Sequence, residues 1–278
     1  MGLVNISTPV KDVISCKLGE GVLAASTGLD TPDKSIIGVE KRQCFLVTCT
    51  GSIMELCAAT GNFRYDNTRE STCIAGILSP MAKENYEQYK GRRNQEGDKR
   101  VIFMNLDTFE MDFDGTDRYP LVIKDDATGA ELYVGTGIKA KYSFRIADPA
   151  LFYKYVCGDI EGDFPLSEVA PQLHVEIGTA FLGASMKASQ EPLNYEKLDS
   201  YKKTIADLMK EEVQERWNEF RGLKIESIEI LEFKFDEGIR KFEEVRKAYE
   251  VISASEWTCR CGKVNKGNFC TECGSPRV

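Results

Sequence analysis

From Leu132 to Ile146 the chain alternates without a break, and this stretch constrains the fold more than any other. Leu132, Val134, Thr136, Ile138, Ala140, Tyr142, Phe144 and Ile146 fall on one face, and Tyr133, Gly135, Gly137, Lys139, Lys141, Ser143 and Arg145 on the other. A period of two over that length predicts a long strand with one buried and one wet face. Antiparallel sheets tolerate a wet face and parallel sheets rarely do, so the sheet is expected to be antiparallel or mixed. Asp148-Pro149 then fits a helix cap and first turn, and Gly158 a helix end.

Residues 1–34 are weakly patterned and read as an N-terminal arm packed on the sheet. Val10, Val13 and Ile14 offer at most a short apolar helical face. Met1-Gly2 resembles the start of an N-myristoylation signal, but Ile6 stands where Ser or Thr is required. From Ser35 the pattern is β: a hairpin over Cys44–Cys49 and Ile53–Cys57, a Gly61-Asn62 turn signal, and strands at Val101–Leu106, Phe109–Phe113 and Tyr119–Ile123. Between them lies a polar insertion, 66–100, with a short helix at Met81–Tyr89. Helices are expected at Pro165–Lys187 and Tyr195–Phe220. A returning strand follows at Leu223–Phe235, with Leu223, Ile225, Leu231, Phe233 and Phe235 on one face. A last helix runs from Asp236 to about Ser253, with Ile239, Phe242, Val245 and Tyr249 as its stripe. The class is α+β, divided as arm 1–34, main domain 35–235, trailing helix 236–255 and a terminal unit 256–278.

That terminal unit holds Cys259, Cys261, Cys270 and Cys273, in two pairs each followed by glycine (Gly262, Gly274). Zn²⁺ takes four tetrahedral ligands and readily deprotonates thiols, so a closed, structural Cys₄ zinc ribbon with one Zn²⁺ is expected. Two disulfides or a redox Cys-x-x-Cys are the alternatives, without a thioredoxin-like context to support them. The first pair is Cys-x-Cys, one residue shorter than a standard knuckle, so its turn must be tighter. The other six cysteines, Cys16, Cys44, Cys49, Cys57, Cys73 and Cys157, read as reduced core residues.

No catalytic constellation emerges. The lone histidine, His174, sits on an apolar helical pattern; Gly135-Thr136-Gly137 lies inside a strand, where it permits close packing; Asp125-Asp126 reads as a solvated turn. A net charge of −8 argues against general nucleic-acid binding and against attraction to an anionic membrane. No apolar run reaches the length of a membrane span, and the N-terminus lacks the pattern of a signal peptide.

Several segments resemble the stomatin–prohibitin–flotillin (SPFH, band 7) domain. They are Ile37–Tyr65, Arg100–Thr116, Tyr142–Gly158 (YSFRIADPALFYKYVCG) and Arg221–Lys241 (RGLKIESIEILEFKFDEGIRK). Where the family usually carries Pro-Glu-Glu, this chain has Asp236-Glu237-Gly238. The ending WTCRCGKVNKGNFCTECG is similar to that of a bacterial subgroup, labelled virion-core-protein-like, which joins the domain to a zinc ribbon. The resemblance implies a non-enzymatic, cytoplasmic scaffold that forms homo-oligomers and works at the inner membrane face, here through membrane-associated partner proteins. The alternative is a soluble adaptor whose basic ribbon residues (Arg260, Lys263, Lys266, Arg277) dock a protein or nucleic acid.

Overall fold

A computed structural model describes residues 3–6, 13–29, 34–92, 96–115, 118–126 and 128–277. The Met1-Gly2 motif, Val10 and part of the 66–100 insertion lie outside the described residues. Strands β1 (Leu3–Ile6), β2 (Val13–Ile14), β3 (Val22–Leu29) and β4 (Ile36–Val39) open the chain. The hairpin β5 (Gln43–Cys49) and β6 (Ser52–Cys57) follows, then β7 (Gly61–Tyr65) and β8 (Cys73–Ile74). Helix α1 (Pro80–Tyr89) precedes β9 (Lys99–Asn105), β10 (Phe109–Asp114), β11 (Tyr119–Lys124) and β12 (Glu131–Ile146). The helical half comprises α2 (Pro149–Phe152), β13 (Asp163–Pro165), α3 (Leu166–Ala188), β14 (Leu193–Asn194) and α4 (Leu198–Phe220). Last come β15 (Leu223–Phe235), α5 (Gly238–Ala254), β16 (Glu256–Thr258) and β17 (Val264–Lys266).

Two sheets form a sandwich: a four-stranded one ordered β1-β7-β4-β2 and a six-stranded one ordered β13-β3-β9-β5-β6-β8. Phe45, Val47, Val101 and Phe103 turn from the larger sheet toward Ile37, Phe63 and Tyr65 of the smaller. Cys44, Leu46, Ile102 and Met104 turn the other way, into the main core. Strand β5 is therefore buried along its whole length.

The described residues of the segment 1–34 do more than pack on a sheet, since they supply strands to two of them. Leu3 pairs with Tyr65, Val13-Ile14 pairs in parallel with Ile36-Ile37, and Ala24 pairs with Met104. Val13-Ile14 is thus strand, as two adjacent β-branched residues favour. Gly61-Asn62 is not a turn either, because β7 lies between β1 and β4 and pairs with both.

The third sheet is organised by β12. Strand β10 pairs with its second half, β11 with its first half, and β15 runs along the opposite edge. The alternation read from the sequence holds: Val134 to Ile146 on the even face are buried, while Tyr133 is 75% exposed. That even face packs on α3 and α4, where Trp217 meets Phe144 at 5.6 Å and Tyr142 at 6.3 Å. Glu176 on α3 is buried and accepts hydrogen bonds from Trp217 Nε1 (2.6 Å), Arg221 Nη2 (2.5 Å) and Gln172 Nε2 (2.9 Å). Burial opposes its charge, but the Arg221 guanidinium and these donors hold its carboxyl below the usual range. After α4 the chain turns at Gly222, whose φ is +63°. A Cβ there would lie 2.2 Å from the Asp148 carbonyl, so only glycine fits.

The single-faced reading of Leu223–Phe235 needs correction. Two β-bulges, opposite Lys139/Ala140 and Ser143/Phe144, interrupt the register of β15. Each extra residue flips the side-chain parity. Leu223, Ile225, Ile230 and Phe233 are buried, while Leu231 is turned out to solvent.

Helix α5 departs from its stripe in the same way. Phe242 is buried and meets the Tyr195 ring at 5.1 Å, but Val245 is exposed, as are Val251 and Ile252. Asp236 does help to start the helix, accepting from Gly238 N at 2.9 Å. Its other oxygen accepts from Gly135 N at 2.8 Å, and a Cβ on Gly135 would sit 2.7 Å from that oxygen. The Gly-Thr-Gly stretch is thus a place of close packing, as its position in a strand implied.

Candidate metal centre

The terminal unit is built on β16 and β17, which pair Trp257 with Asn265. Trp257 Nε1 donates to the Gly267 carbonyl at 2.8 Å. The buried Asn265 is the hinge of the site, because its Oδ1 accepts from Thr271 N (2.9 Å) and Thr271 Oγ1 (3.0 Å). That contact locks the second cysteine loop against the first.

Each cysteine pair sits in a glycine-ended turn, and the two turns differ by one residue. Gly262 N donates to the Cys259 carbonyl at 2.8 Å, three residues back; Gly274 N donates to the Cys270 carbonyl at 2.9 Å, four residues back. Both glycines have positive φ, +88° and +71°. The Cys-x-Cys spacing is accommodated by this tighter turn, in line with the sequence argument.

All four sulfurs lie within 4.8 Å of one another. Cys259 Sγ is 3.6 Å from Cys273 Sγ, and Cys261 Sγ is 3.6 Å from Cys270 Sγ. A tetrahedral Zn–S₄ site with bonds of about 2.3 Å has sulfurs about 3.8 Å apart, whereas a disulfide needs about 2.05 Å. The spacing fits a shared cation and not two bridges. Among the described residues this is the one cluster of three or more His, Cys, Asp or Glu ligand atoms in reach of a single ion.

Electrostatics prepare the same set. The Cys273 amide pulls the Cys270 thiol down to about 6, and the Ser275 hydroxyl lowers Cys273. At Cys261 the Lys263 amide works downward, but the neighbouring Cys259 and Cys270 sulfurs prevail and push it up to about 12. Sulfurs this close compete for protons, and a divalent cation relieves that competition by accepting thiolates. Cys259 and Cys270 are buried, and Cys261 and Cys273 face outward.

The ribbon is tied to α5. Asn268 Nδ2 donates to Tyr249 Oη at 2.9 Å, and Arg277 donates to the Ile252 and Ser255 carbonyls and to Ser255 Oγ. Sequence reasoning missed Asn265 and Arg277, because their roles depend on where two loops meet rather than on a spacing.

The other candidates take structural places. His174 packs edge-on against Phe113 (5.8 Å) and Tyr142 (6.1 Å). Asp125 is fully buried rather than solvated: its Oδ2 accepts from Thr128, and its Oδ1 lies 3.3 Å from Arg246 Nε. None of the six scattered cysteines is in a disulfide, and Cys44, Cys49 and Cys57 are buried. Burial pushes the Cys57 thiol up to about 12. No helix among the described residues is long and apolar enough to cross a membrane.

Fold and site together define an α+β domain that ends in a small Cys₄ unit. The sequence matches the SPFH domain-Band 7 family over residues 98–251, from the loop before β9 to the last turn of α5. The match covers more than half of the chain, and the chain belongs to that family. Its members are generally non-enzymatic scaffolds associated with membranes. No curated protein matches the sequence.

Proposed function

We propose that this chain is a self-associating, non-enzymatic scaffold of the virion-core-protein-like branch. It works at the cytoplasmic face of a membrane through partner proteins and carries one structural Zn²⁺ on Cys259, Cys261, Cys270 and Cys273. The observation that supports this best is the joining of a band 7 domain to a Cys₄ ribbon whose sulfurs are spaced for one ion. We divide the chain into the main domain, the trailing helix 236–255 and the ribbon 256–278. Zn²⁺ would fix the two turns relative to each other and so shape the ribbon surface.

The outward face of α5, with Val245, Val251 and Ile252 exposed, is the proposed self-association surface. Nucleic acid is the less favoured ligand of the ribbon. Lys263 pairs with Glu272, Lys266 with Glu256, and Arg277 is spent on backbone carbonyls, which leaves Arg260 as the one of these four ribbon cations without an ion pair or carbonyl partner among the described residues. The test is light scattering coupled to size exclusion on the full chain, with and without membrane extract. A multimer that Val245→Glu with Ile252→Glu reduces to single chains, and that co-sediments with the extract, is expected. A strict monomer at micromolar concentration, unchanged by extract, would remove the scaffold reading.

A further inference from the structure

The 66–100 insertion has no part in the ribbon or in the proposed self-association surface, yet its helix is held firmly. Tyr86 Oη donates to the Met54 carbonyl at 3.1 Å, Asn85 Nδ2 donates to Asp148 Oδ2 at 2.7 Å, and the Tyr89 and Tyr155 hydroxyls meet at 3.2 Å. These three anchors fix α1 against the hairpin, against α2 and against the turn that follows α2. Between α1 and the last turns of α4 they leave an open groove of about 410 Å³. Met81, Tyr89 and Leu151 supply its apolar lining, and Met81 is 63% exposed. Its two charged lining groups are both carboxylates, Glu215 and Glu219, one turn apart on α4. Neither is in an ion pair among the described residues, while Trp217 between them is fully buried and fixes the helix face that presents them.

We propose that this groove is a docking site for a basic amphipathic helix of a partner protein. Its apolar side chains would fill the Met81–Leu151–Tyr89 trough, and its Lys or Arg residues would meet Glu215 and Glu219. The chemistry follows from complementarity: a preformed apolar trough with an acidic wall, on a chain of net charge −8, selects a cationic ligand with one greasy face. An anionic membrane surface is repelled by the same wall. Strand β15 and helix α5 separate its last residue, Glu219, from the first cysteine of the Cys₄ unit, and none of its lining residues is one of the four cysteines.

The probe is a synthetic sixteen-residue helix with leucines at i, i+4 and i+7 and lysines elsewhere, compared with its glutamate counterpart, by fluorescence anisotropy on the full chain. The lysine probe is expected to bind and the glutamate probe not to bind. Glu215→Lys with Glu219→Lys should weaken binding by about tenfold or more, since two rim charge pairs become repulsions. Met81→Ser, at an exposed position, should weaken it without unfolding the chain. Binding that the charge-reversed variant retains would place the contact elsewhere on the acidic surface and overturn the proposal. So would equal binding of both probes, no binding, capture by anionic vesicles instead, or light scattering in which the charge reversal alone dissociates a multimer, which would make the occupant a second copy.

Discussion

Arg246 of α5 places its Nε 3.3 Å from Oδ1 of Asp125, a carboxylate entirely withdrawn from solvent in the turn between β11 and β12. The same guanidinium stacks over the Tyr195 ring at 5.0 Å and pairs with Glu196 and Glu250. The trailing helix is therefore docked on the domain by a buried charge pair as well as by Phe242.

Removing one member of such a pair leaves the other charge buried, at a cost of about 3–5 kcal/mol. Thr128 still donates to Asp125, so Arg246→Ala should lose about 3 kcal/mol in urea unfolding. Asp125→Asn in the Arg246→Ala background should recover part of this, with a coupling of about 1 kcal/mol or more. Additive losses would show that the two side chains do not act as a pair.

Glu55 on β6 gives a second prediction. It is buried, and its Oε2 accepts from Thr72 N at 2.8 Å and from Thr72 Oγ1. Burial outweighs those donors and pushes its carboxyl up from 4.5 to about 7. The folded chain then holds this proton more tightly than the unfolded chain. The contribution to stability is full below about pH 4.5, falls as pH rises toward 7 and is lost above it, by up to roughly 3 kcal/mol. Glu55→Gln keeps an acceptor for Thr72 without the charge. The difference in urea midpoint between variant and wild type should therefore grow in the variant's favour from pH 5 to pH 8. A constant difference across that range would refute the buried-acid account.

Both groups also show how far the sequence was legible. The strand Leu132–Ile146 was plain because one face is wet, and alternation survives only under that condition. Strand β5 carries the apolar run Cys44–Val47 because both its faces are covered, and β3 likewise hides in the buried run Leu23-Ala24-Ala25, which has no alternation to read. The parity of β15 was unreadable because bulges depend on a partner strand that local sequence does not name. Asp125-Asp126 looks like any solvated turn, and the ion that buries the first of them stands 121 residues away in Arg246. The clustering of the four cysteines was legible because their spacings are short and local, whereas Asn265 and Arg277 reach it through tertiary contacts.

For the ribbon, elemental analysis of chain purified under reducing conditions without chelator should give about one zinc per chain, from the four-ligand argument. Cys270→Ser removes a buried ligand and should abolish the metal. The main domain should keep its unfolding transition, since the ribbon's hydrogen bonds to the rest of the described residues go to Tyr249, Ile252 and Ser255 at the end of α5. Hydrogen exchange should rise across 256–277 and spare β12. Metal-free wild type would sink the assignment, as would a Cys270→Ser chain that still holds zinc.

The last prediction concerns the bare edge of β15. At thirteen residues this is a long edge strand, and unpaired edges are templates for pairing with another chain. Helix α4 runs beside it and blocks that route with side chains. Lys202 Nζ donates to the Leu231 carbonyl at 2.9 Å, Lys210 Nζ to the Glu226 carbonyl at 2.7 Å, and Gln214 Oε1 accepts from Ile225 N at 3.2 Å. Leu231 and Glu226 are the residues that the two bulges leave without a partner on β12, so the lysines cap the carbonyls that the sheet cannot. Replacing Lys202, Lys210 and Gln214 together by Ala should cost about 1.5–4.5 kcal/mol, from about 0.5–1.5 for each of the three hydrogen bonds. The larger effect should be on association: light scattering during slow heating should rise earlier, with a gain in β signal. The variant is more negative than wild type, so charge repulsion acts against this outcome. Lys197→Ala with Lys203→Ala, which makes the same charge change at exposed positions of the same helical segment, is the control. If the control aggregates as readily as the triple variant, edge capping is not what these side chains do.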